Sequence, residues 1–144
     1  MLKIREISEA NATDLDQLNK LIPQLSKSAK HLDQTQFNEI INSRVTHLYF
    51  AEENNLIMGM LSLVIFPIPT GVRAWIEDVV VDENARGRGV GKLLTSHALA
   101  EAEKNGAQTI DLTSRPSREV ANKLYQSVGF KARETNVYRY SIHS

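Results

Sequence analysis

Within the first forty-five residues, the spacing of the apolar positions changes from that of a strand to that of a helix. Apolar and polar residues alternate over Leu2–Ile7, which predicts an opening strand with one buried face. Apolar residues at helical spacing then follow Asn11 until Pro23 interrupts them. A second helical segment begins at Asp33, where Gln36 three residues later completes a capping-box signal. The pattern predicts a strand followed by two amphipathic helices.

Strand patterns dominate the middle of the chain. Residues 46–66 predict two strands around a turn at 53–55, because the asparagines of that turn tolerate the positive φ of tight hairpins. The loop at 67–71 separates this hairpin from a further strand over 72–83. The β-branched run at 79–81 indicates that this strand is buried on both faces. We expect it at the centre of the sheet.

Helical spacing resumes at Val90 and stops at the pair Asn105-Gly106. A short strand is predicted over 107–114. A helix with start signals at Pro116 and Ser117 and a stop at Gly129 follows it.

Two final apolar segments, near 130–133 and 137–142, predict two more strands. The predicted order is therefore β-α-α-β-β-β-α-β-α-β-β. It defines one α/β domain over residues 1–144, with a mixed, mostly antiparallel sheet of six or seven strands flanked by four helices. The second half contains a right-handed β-α-β crossover.

Composition narrows the class of protein. The chain has 144 residues, of which 42% are hydrophobic, enough for one domain with a real core. Seventeen basic residues balance seventeen acidic ones, so no overall field attracts nucleic acid or a membrane surface. We therefore expect neither of those partners, and any anion site must be local.

Cysteine is absent and the four histidines lack ligand spacing, so we predict no disulfide, no thiolate nucleophile and no metal site. The first residues carry charges where a signal peptide needs an apolar run. We expect a cytoplasmic protein.

The stretch ARGRGVGKLL, residues 85–94, places three glycines at alternate positions just before a helix. Bare peptide N–H groups and the start of a helix together form a cradle for an anion. Two familiar phosphate loops do not fit: the dinucleotide pattern needs glycine at Lys92, and the Walker pattern needs glycine at Arg86 and Ser or Thr at Leu93. A tight strand-to-helix turn explains the same glycines without a ligand.

Two motifs resemble the GNAT superfamily of acyl-CoA-dependent N-acetyltransferases. The residues RGRGVG, 86–91, follow a central strand and match the cofactor motif [RQ]-x-x-G-x-[GA]. The residues LYQSVGF, 124–130, match the family's Tyr-x-x-x-Gly-Phe helix ending. The two motifs span Trp75 to Phe130 in the family's order. The resemblance implies a GNAT-like fold, acetyl-CoA as acyl donor and, by analogy with relatives, a homodimer.

The resemblance also implies which residues hold coenzyme A. The glycine loop receives the pyrophosphate on the backbone N–H groups of 88–92, and glycines keep side chains out of its way. The central strand pairs through its backbone with the pantetheine arm. Arg118 stands where the family often has a cofactor-contacting Asn, and it is a candidate phosphate ligand with Asn122 nearby. The expected cofactor residues are Val79, Val80, Val81, Arg86, Gly87, Arg88, Gly89, Val90, Gly91, Lys92, Arg118 and Asn122.

Two side chains are candidates for the chemistry. Glu77 lies nine positions before Arg86, where polyamine acetyltransferases of the superfamily carry Glu-Asp, and is the candidate base. Strand alternation places it on the face of Val79 and Val81. An ordinary ion pair at the strand end is the alternative role. Tyr125 is the candidate acid for the leaving thiolate, as in the family, with core packing as its alternative.

These residues predict an N-acetyltransferase that passes the acetyl group of acetyl-CoA to a primary amine by direct attack in a ternary complex. The acceptor is a small molecule or a protein. The alternative is a non-catalytic acyl-CoA-binding sensor or subunit.

Overall fold

A computed structural model describes residues 1–143, and residue 144 lies outside that description. The described residues form five strands and four α-helices, with a short 3₁₀ turn at Glu83–Ala85. In chain order the elements are β1 (Lys3–Glu6), α1 (Ala12–Leu25), α2 (Gln34–Asn42), β2 (Thr46–Glu53), β3 (Leu56–Ile68), β4 (Gly71–Val81), α3 (Val90–Lys104), β5 (Thr109–Asp111) and α4 (Glu119–Ser127).

The strands follow one another across the sheet in sequence order, β1 to β5. The first three pairings are antiparallel, and β4 pairs with β5 in parallel. Because parallel neighbours need a crossover, α3 carries the chain from the end of β4 back to the start of β5. The mixed, mostly antiparallel sheet and the four helices are thus confirmed.

The prediction of six or seven strands is wrong. Residues 130–143 form no strand, although their apolar residues suit one. Strand propensity measures how well side chains pack against neighbouring strands, and this segment has no such neighbour. Phe130 packs against the apolar cluster under α3, but the large apolar side chains of 137–142 are exposed.

Two helix boundaries also differ from the pattern. Helix α1 continues through Pro23 to Leu25, because a proline in the last turn removes only one N–H donor. Ser26 N still donates to Ile22 O at the helix end. Helix α4 begins at Glu119, later than the start signals, because residues 115–118 form a separate turn closed by Arg118 N and Arg115 O.

Local signals with a specific hydrogen-bond geometry are confirmed. Asp33 and Gln36 form the full capping box at the start of α2. The β2–β3 turn has positive φ at Asn54 and Asn55, 54° and 65°. Gly106, with φ 84°, ends the turn after α3.

The sheet separates two apolar clusters. One lies under α1 and α2 and includes Leu21, Phe37, Phe50 and Val80. The other lies under α3 and includes Leu61, Ala74, Ile76, Leu94 and Ala98. A side chain's membership in one cluster or the other therefore reports which face of the sheet it occupies.

Candidate active site

Strands β4 and β5 separate after a short pairing. Three residue pairs join them, from Arg73 with Thr109 to Trp75 with Asp111. Strand β4 continues to Val81, whereas β5 ends at Asp111. From Ile76 onward, the β4 edge that faces β5 therefore has no strand partner among residues 1–143. This open edge leads directly towards the glycine loop.

A β-bulge interrupts β4 on this open stretch. Ser62 pairs with Glu77 and Met60 pairs with Val80, so one residue of β3 lies opposite two residues of β4. Asp78 takes up the extra length with φ 51°, a left-handed conformation that is uncommon for a residue with a side chain. A bulge leaves N–H groups of the bulged strand without their usual ladder partners.

The bulge corrects the predicted orientation of Glu77. Val79 and Val81 pack against the α3 cluster together with Ile76, whereas Val80 belongs to the cluster under α1 and α2. Glu77 follows Ile76 and so faces the opposite way, towards the α1 and α2 side. The prediction that it shares a face with Val79 and Val81 is wrong, because the extra residue inverts the alternation. Of the three valines, Val80 is buried, and Val79 and Val81 are half-buried.

The Glu77 carboxylate is exposed to solvent. Within residues 1–143 the Glu77 carboxylate takes part in no salt bridge. The structure therefore does not support the alternative role, an ordinary ion pair at the strand end. A free carboxylate at a bulge beside an open strand edge is available to accept a proton.

The glycine loop uses its glycines for two different reasons. Gly87 and Gly89 have φ of 80° and 78°, and a Cβ built on either would meet nothing within 4 Å. They provide a left-handed backbone facing open space. A Cβ on Gly91 would instead lie 3.0 Å from Leu124 Cδ2 and 3.6 Å from Val81 Cγ2. Gly91 thus makes room for α4, and the prediction that it also makes room for the pyrophosphate stays a prediction.

The close approach at Gly91 also brings three parts of the site together. The start of α3, the end of β4 and the residue before Tyr125 meet at this point. The two motifs that the sequence places more than thirty residues apart are thus in contact.

The loop offers its backbone N–H groups without competition. Gly89 is the N-cap of α3 and has no side-chain capping bond. Leu93 N, which donates to Gly89 O, is the first amide after the loop that has a backbone acceptor. Within the described chain the amides of 87–92 therefore point at no acceptor, and the positive end of the helix dipole adds to them. The cradle fits a pyrophosphate.

The cationic side chains around the cradle have different partners. Arg88 Nη2 lies 2.7 Å from Glu53 Oε2, so its guanidinium is directed to the β2–β3 turn. Arg86 lines a groove of about 450 Å³ along the end of α1, together with Lys27 and Glu83. Lys92 is exposed on the first turn of α3. The positive charges that line this groove are those of Arg86 and Lys27, with the carboxylate of Glu83 beside them. Lys27 carried no signal in the sequence.

Tyr125 is the one fully buried residue of α4, with 6% of its surface exposed. Its ring packs edge-on against Phe130 at 5.9 Å, which closes the helix end. Burial raises the pKa of the Tyr125 phenol, and the positive charge of Arg118 opposes that shift. The phenol therefore stays protonated across the physiological range, which suits the predicted role of proton donor.

The other two candidates on this helix differ from each other. Asn122 Nδ2 donates to Arg115 O and Arg118 O, at 2.9 and 2.8 Å, so its amide nitrogen holds the start of α4. Only its side-chain oxygen is left to meet a ligand. Arg118 is the exposed N-cap of α4 and makes no capping bond with its side chain.

Sequence analysis missed Ser114. Its hydroxyl lies in the loop between β5 and α4, is buried, and has no hydrogen-bond partner. A buried hydroxyl without a partner costs about 1–3 kcal/mol, so it marks a place where a ligand or water completes the bond. No residue pattern could have identified it, because the signal is burial and not residue type.

Comparison with known families identifies the class of protein. The family model described as "Acetyltransferase (GNAT) family" matches residues 12–130, most of the chain. The chain belongs to this family, which confirms the resemblance drawn from the two motifs.

Individual relatives share the fold at moderate identity. An aminoalkylphosphonate N-acetyltransferase from Salmonella typhimurium is 27% identical over 138 residues, 91% of this chain and 88% of that protein. A glucosamine 6-phosphate N-acetyltransferase from Trypanosoma brucei brucei is 37% identical over 93 residues, 62% of this chain and only 61% of that protein. The crystal structure of a transcriptional regulator from Bacillus halodurans C-125 is 28% identical, covers 98% of this chain and 100% of its own, and has a TM-score of 0.85.

None of the helices described here has the length and apolar character needed to cross a membrane.

Proposed function

We propose that this chain is an N-acetyltransferase that passes the acetyl group of acetyl-CoA to a primary amine by direct attack in a ternary complex. One observation carries the proposal: the cradle of free amides lies at the end of a strand edge that has no partner within residues 1–143. A ligand with a pyrophosphate and an extended amide-bearing arm suits that combination, and coenzyme A has both.

Different groups of the chain bind different parts of the cofactor. The amides of 87–92 receive the pyrophosphate, and the helix dipole favours its negative charge. The backbone of 79–81 pairs with the pantetheine arm, as an additional strand pairs with a sheet edge. Arg86, Lys92 and Arg118 supply positive charge near the phosphates, with the Asn122 oxygen as a further contact. When bound, acetyl-CoA supplies an activated acyl group.

Glu77 prepares the acceptor. A primary alkylamine has a pKa of about 10.4, so at neutral pH its ammonium must lose a proton before it can attack. The exposed Glu77 carboxylate accepts this proton, directly or through water. It lies on the α1 and α2 side of the sheet, so the acceptor approaches from that side.

Backbone donors and Tyr125 complete the chemistry. The N–H of Val79 or Val80, beside the bulge, stabilises the negative charge that develops on the acyl oxygen. Tyr125 then donates its phenolic proton to the departing thiolate. Helix α4 packs on α3, so Tyr125 acts from the sheet face opposite Glu77, which keeps the base and the acid on separate sides of the reacting bond.

The class of acceptor stays open between a small molecule and a protein. By their names, two relatives act on amines that also carry a phosphate or phosphonate. We include such amines first in the test.

A panel of amines, with release of free coenzyme A thiol as the readout, tests the proposal. The panel contains amino sugars and their phosphates, aminoalkylphosphonates, polyamines and peptides with a free N-terminus. We expect turnover with at least one class, and strongly reduced turnover with that amine in the Glu77→Gln variant. Turnover that is unchanged in Glu77→Gln would remove Glu77 from the mechanism.

A non-catalytic acyl-CoA sensor is the second candidate, since a structure of this fold at 28% identity is described as a transcriptional regulator. Calorimetry separates the two functions. Tight binding of acetyl-CoA with no thiol release from any amine would favour the sensor, whereas turnover excludes it.

A further inference from the structure

Residues 86–88, the first part of the glycine loop, have little backbone support. The last backbone hydrogen bond before them joins Ala85 N to Asp82 O, and the first one after them is accepted by Gly89 O. Within residues 1–143 no N–H or C=O group of 86–88 takes part in a backbone hydrogen bond. Secondary structure therefore does not fix the conformation of this stretch.

The two glycines on either side of Arg88 add to this freedom. Gly87 and Gly89 have no side chain to pack, and a Cβ at either position would meet nothing within 4 Å. Glycine loses more conformational freedom on ordering than any other residue. A loop that is not ordered beforehand has to be ordered when the ligand binds, and the affinity falls accordingly. The affinity of the cradle therefore depends on what holds the loop before the ligand arrives.

One side chain connects this stretch to the sheet. Arg88 Nη2 donates to Glu53 Oε2 at 2.7 Å, and within residues 1–143 this is the only hydrogen bond that residues 86–88 make through a side chain. Glu53 is the last residue of β2 and pairs with Leu56 across the β2–β3 turn, so the sheet fixes its backbone. Its side chain is only 20% exposed, which limits competition from water. The ion pair thus joins an otherwise unsupported loop to a rigid point.

We propose that Glu53 is a positioning residue for the cosubstrate: through Arg88 it holds the glycine loop in the conformation that receives a pyrophosphate. Arg88 then acts by anchoring the backbone, and its guanidinium is not a phosphate ligand. The identity of the ligand rests on the function proposed above, whereas the anchor is a property of the chain alone. Because an exposed ion pair contributes little to overall stability, its effect should appear in ligand affinity and loop order.

The two roles that Arg88 could have predict changes of opposite sign in the Glu53→Gln variant, which keeps the shape of the side chain. If Arg88 is an anchor, the variant binds acetyl-CoA more weakly, by roughly 2- to 5-fold, as expected for the loss of a partly exposed ion pair. If Arg88 is a phosphate ligand, the variant frees its guanidinium and removes a nearby negative charge, so the affinity rises. Isothermal titration calorimetry measures the sign.

Two further variants separate the ion pair from the general effect of charge. Glu83 is exposed beside the same loop, and within residues 1–143 its carboxylate forms no salt bridge. Glu83→Gln removes one negative charge and should keep or slightly raise the affinity. In a double-mutant cycle, Arg88→Gln together with Glu53→Gln should weaken binding no more than either change alone, because each one already breaks the pair. Additive losses would show that Arg88 also acts on the ligand directly, and would overturn the proposal.

The order of the loop can be measured without any ligand. The heteronuclear ¹H–¹⁵N NOE of the Gly87 and Gly89 amides reports motion on the ps–ns timescale. It should fall in Glu53→Gln, whereas the NOE of Gly106, at the other end of α3, should stay at the parent value. An unchanged NOE at both loop glycines, or an affinity that is unchanged or raised, would overturn the proposal. A parent chain that does not bind acetyl-CoA would remove the proposed function, and the NOE would then decide alone whether Glu53 anchors the loop.

Discussion

At the glycine loop the groups available to a ligand are backbone N–H donors, whereas the groups that we propose for the chemistry are two side chains, Glu77 and Tyr125. The loop geometry depends on φ values that glycine alone adopts freely, 80° at Gly87 and 78° at Gly89. The side-chain end depends on a bulge and on burial. The binding half of the site is therefore sensitive to backbone changes, and the chemical half to the loss of single functional groups.

The largest effect is expected from Gly89→Glu. A side chain there enters the open space of the cradle and brings negative charge towards the pyrophosphate. Loss of two charge-assisted hydrogen bonds, at about 1.5–3 kcal/mol each, weakens acetyl-CoA binding by roughly 100-fold or more. Isothermal titration calorimetry measures the change.

Gly106 provides a matched control for that variant. It also has a positive φ, 84°, and open space around its Cβ, but it lies at the opposite end of α3. Gly106→Glu should lose a similar small amount of stability and keep its affinity for acetyl-CoA. Equal loss of affinity in both variants would mean that strain, and not the cradle, explains the result.

Tyr125→Phe should separate rate from stability. The ring stays in contact with Phe130, so unfolding free energy should change by no more than about 1 kcal/mol. If the phenol protonates the thiolate, kcat falls by roughly 10- to 10⁴-fold while acetyl-CoA still binds. Stopped-flow thiol release and thermal melts give the two quantities.

Tyr49→Phe is the control for this prediction. Tyr49 is also buried, but it lies on β2 and packs against His97 of α3. Its variant should acetylate at the parent rate. If the Tyr125→Phe variant is as active as the Tyr49→Phe variant, Tyr125 is a packing residue and not the acid.

Glu77→Gln should give a smaller effect, because water can replace a base in part. We expect kcat/KM to fall by roughly 10- to 100-fold at neutral pH, and the acidic limb of its pH profile to flatten. Asp78→Asn is the control, because Asn tolerates the same positive φ. If Asp78→Asn alters the profile and Glu77→Gln does not, the two neighbours have been assigned the wrong way round.

The two halves of the site also differ in how far sequence could predict them. The sequence of residues 86–92 was enough to predict the cradle. Glycines spaced in this way before a helix determine the backbone conformation and leave the amide N–H groups free. The direction of Glu77 could not be predicted, since nothing in the residues around Asp78 announces a bulge and one extra residue reverses the face. Ser114 is identified only by the burial of its hydroxyl in the folded chain, and Lys27 only by its position in the groove beside Arg86.

The fold shows the same division. The capping box at Asp33 and the turn at Asn54 and Asn55 are local devices, and both were predicted correctly. The strands expected near 130–133 and 137–142 need a neighbouring strand to pair with, and within residues 1–143 none pairs with them. Cytoplasmic location and the absence of nucleic-acid partners stay predictions, because they rest on charge and composition alone.

The smallest effect concerns stability at alkaline pH. Burial raises the pKa of both Tyr49 and Tyr125 above the ordinary value of about 10, with nearby carboxylates adding to the shift at Tyr49. Below that pH both phenols are protonated in the folded and unfolded states, so their contribution is fully present. As pH rises further, the unfolded chain loses these protons first, and the free energy of unfolding falls.

Chemical denaturation at a series of pH values above about 9 measures this decline. Tyr49→Phe should make it less steep, because one of the two buried phenols is gone, and Tyr125→Phe should act in the same direction but less strongly. Tyr140→Phe is the control, since that ring is exposed. If the slope is the same in all three variants, the alkaline loss of stability comes from lysine deprotonation instead, and burial of the two phenols has no part in it.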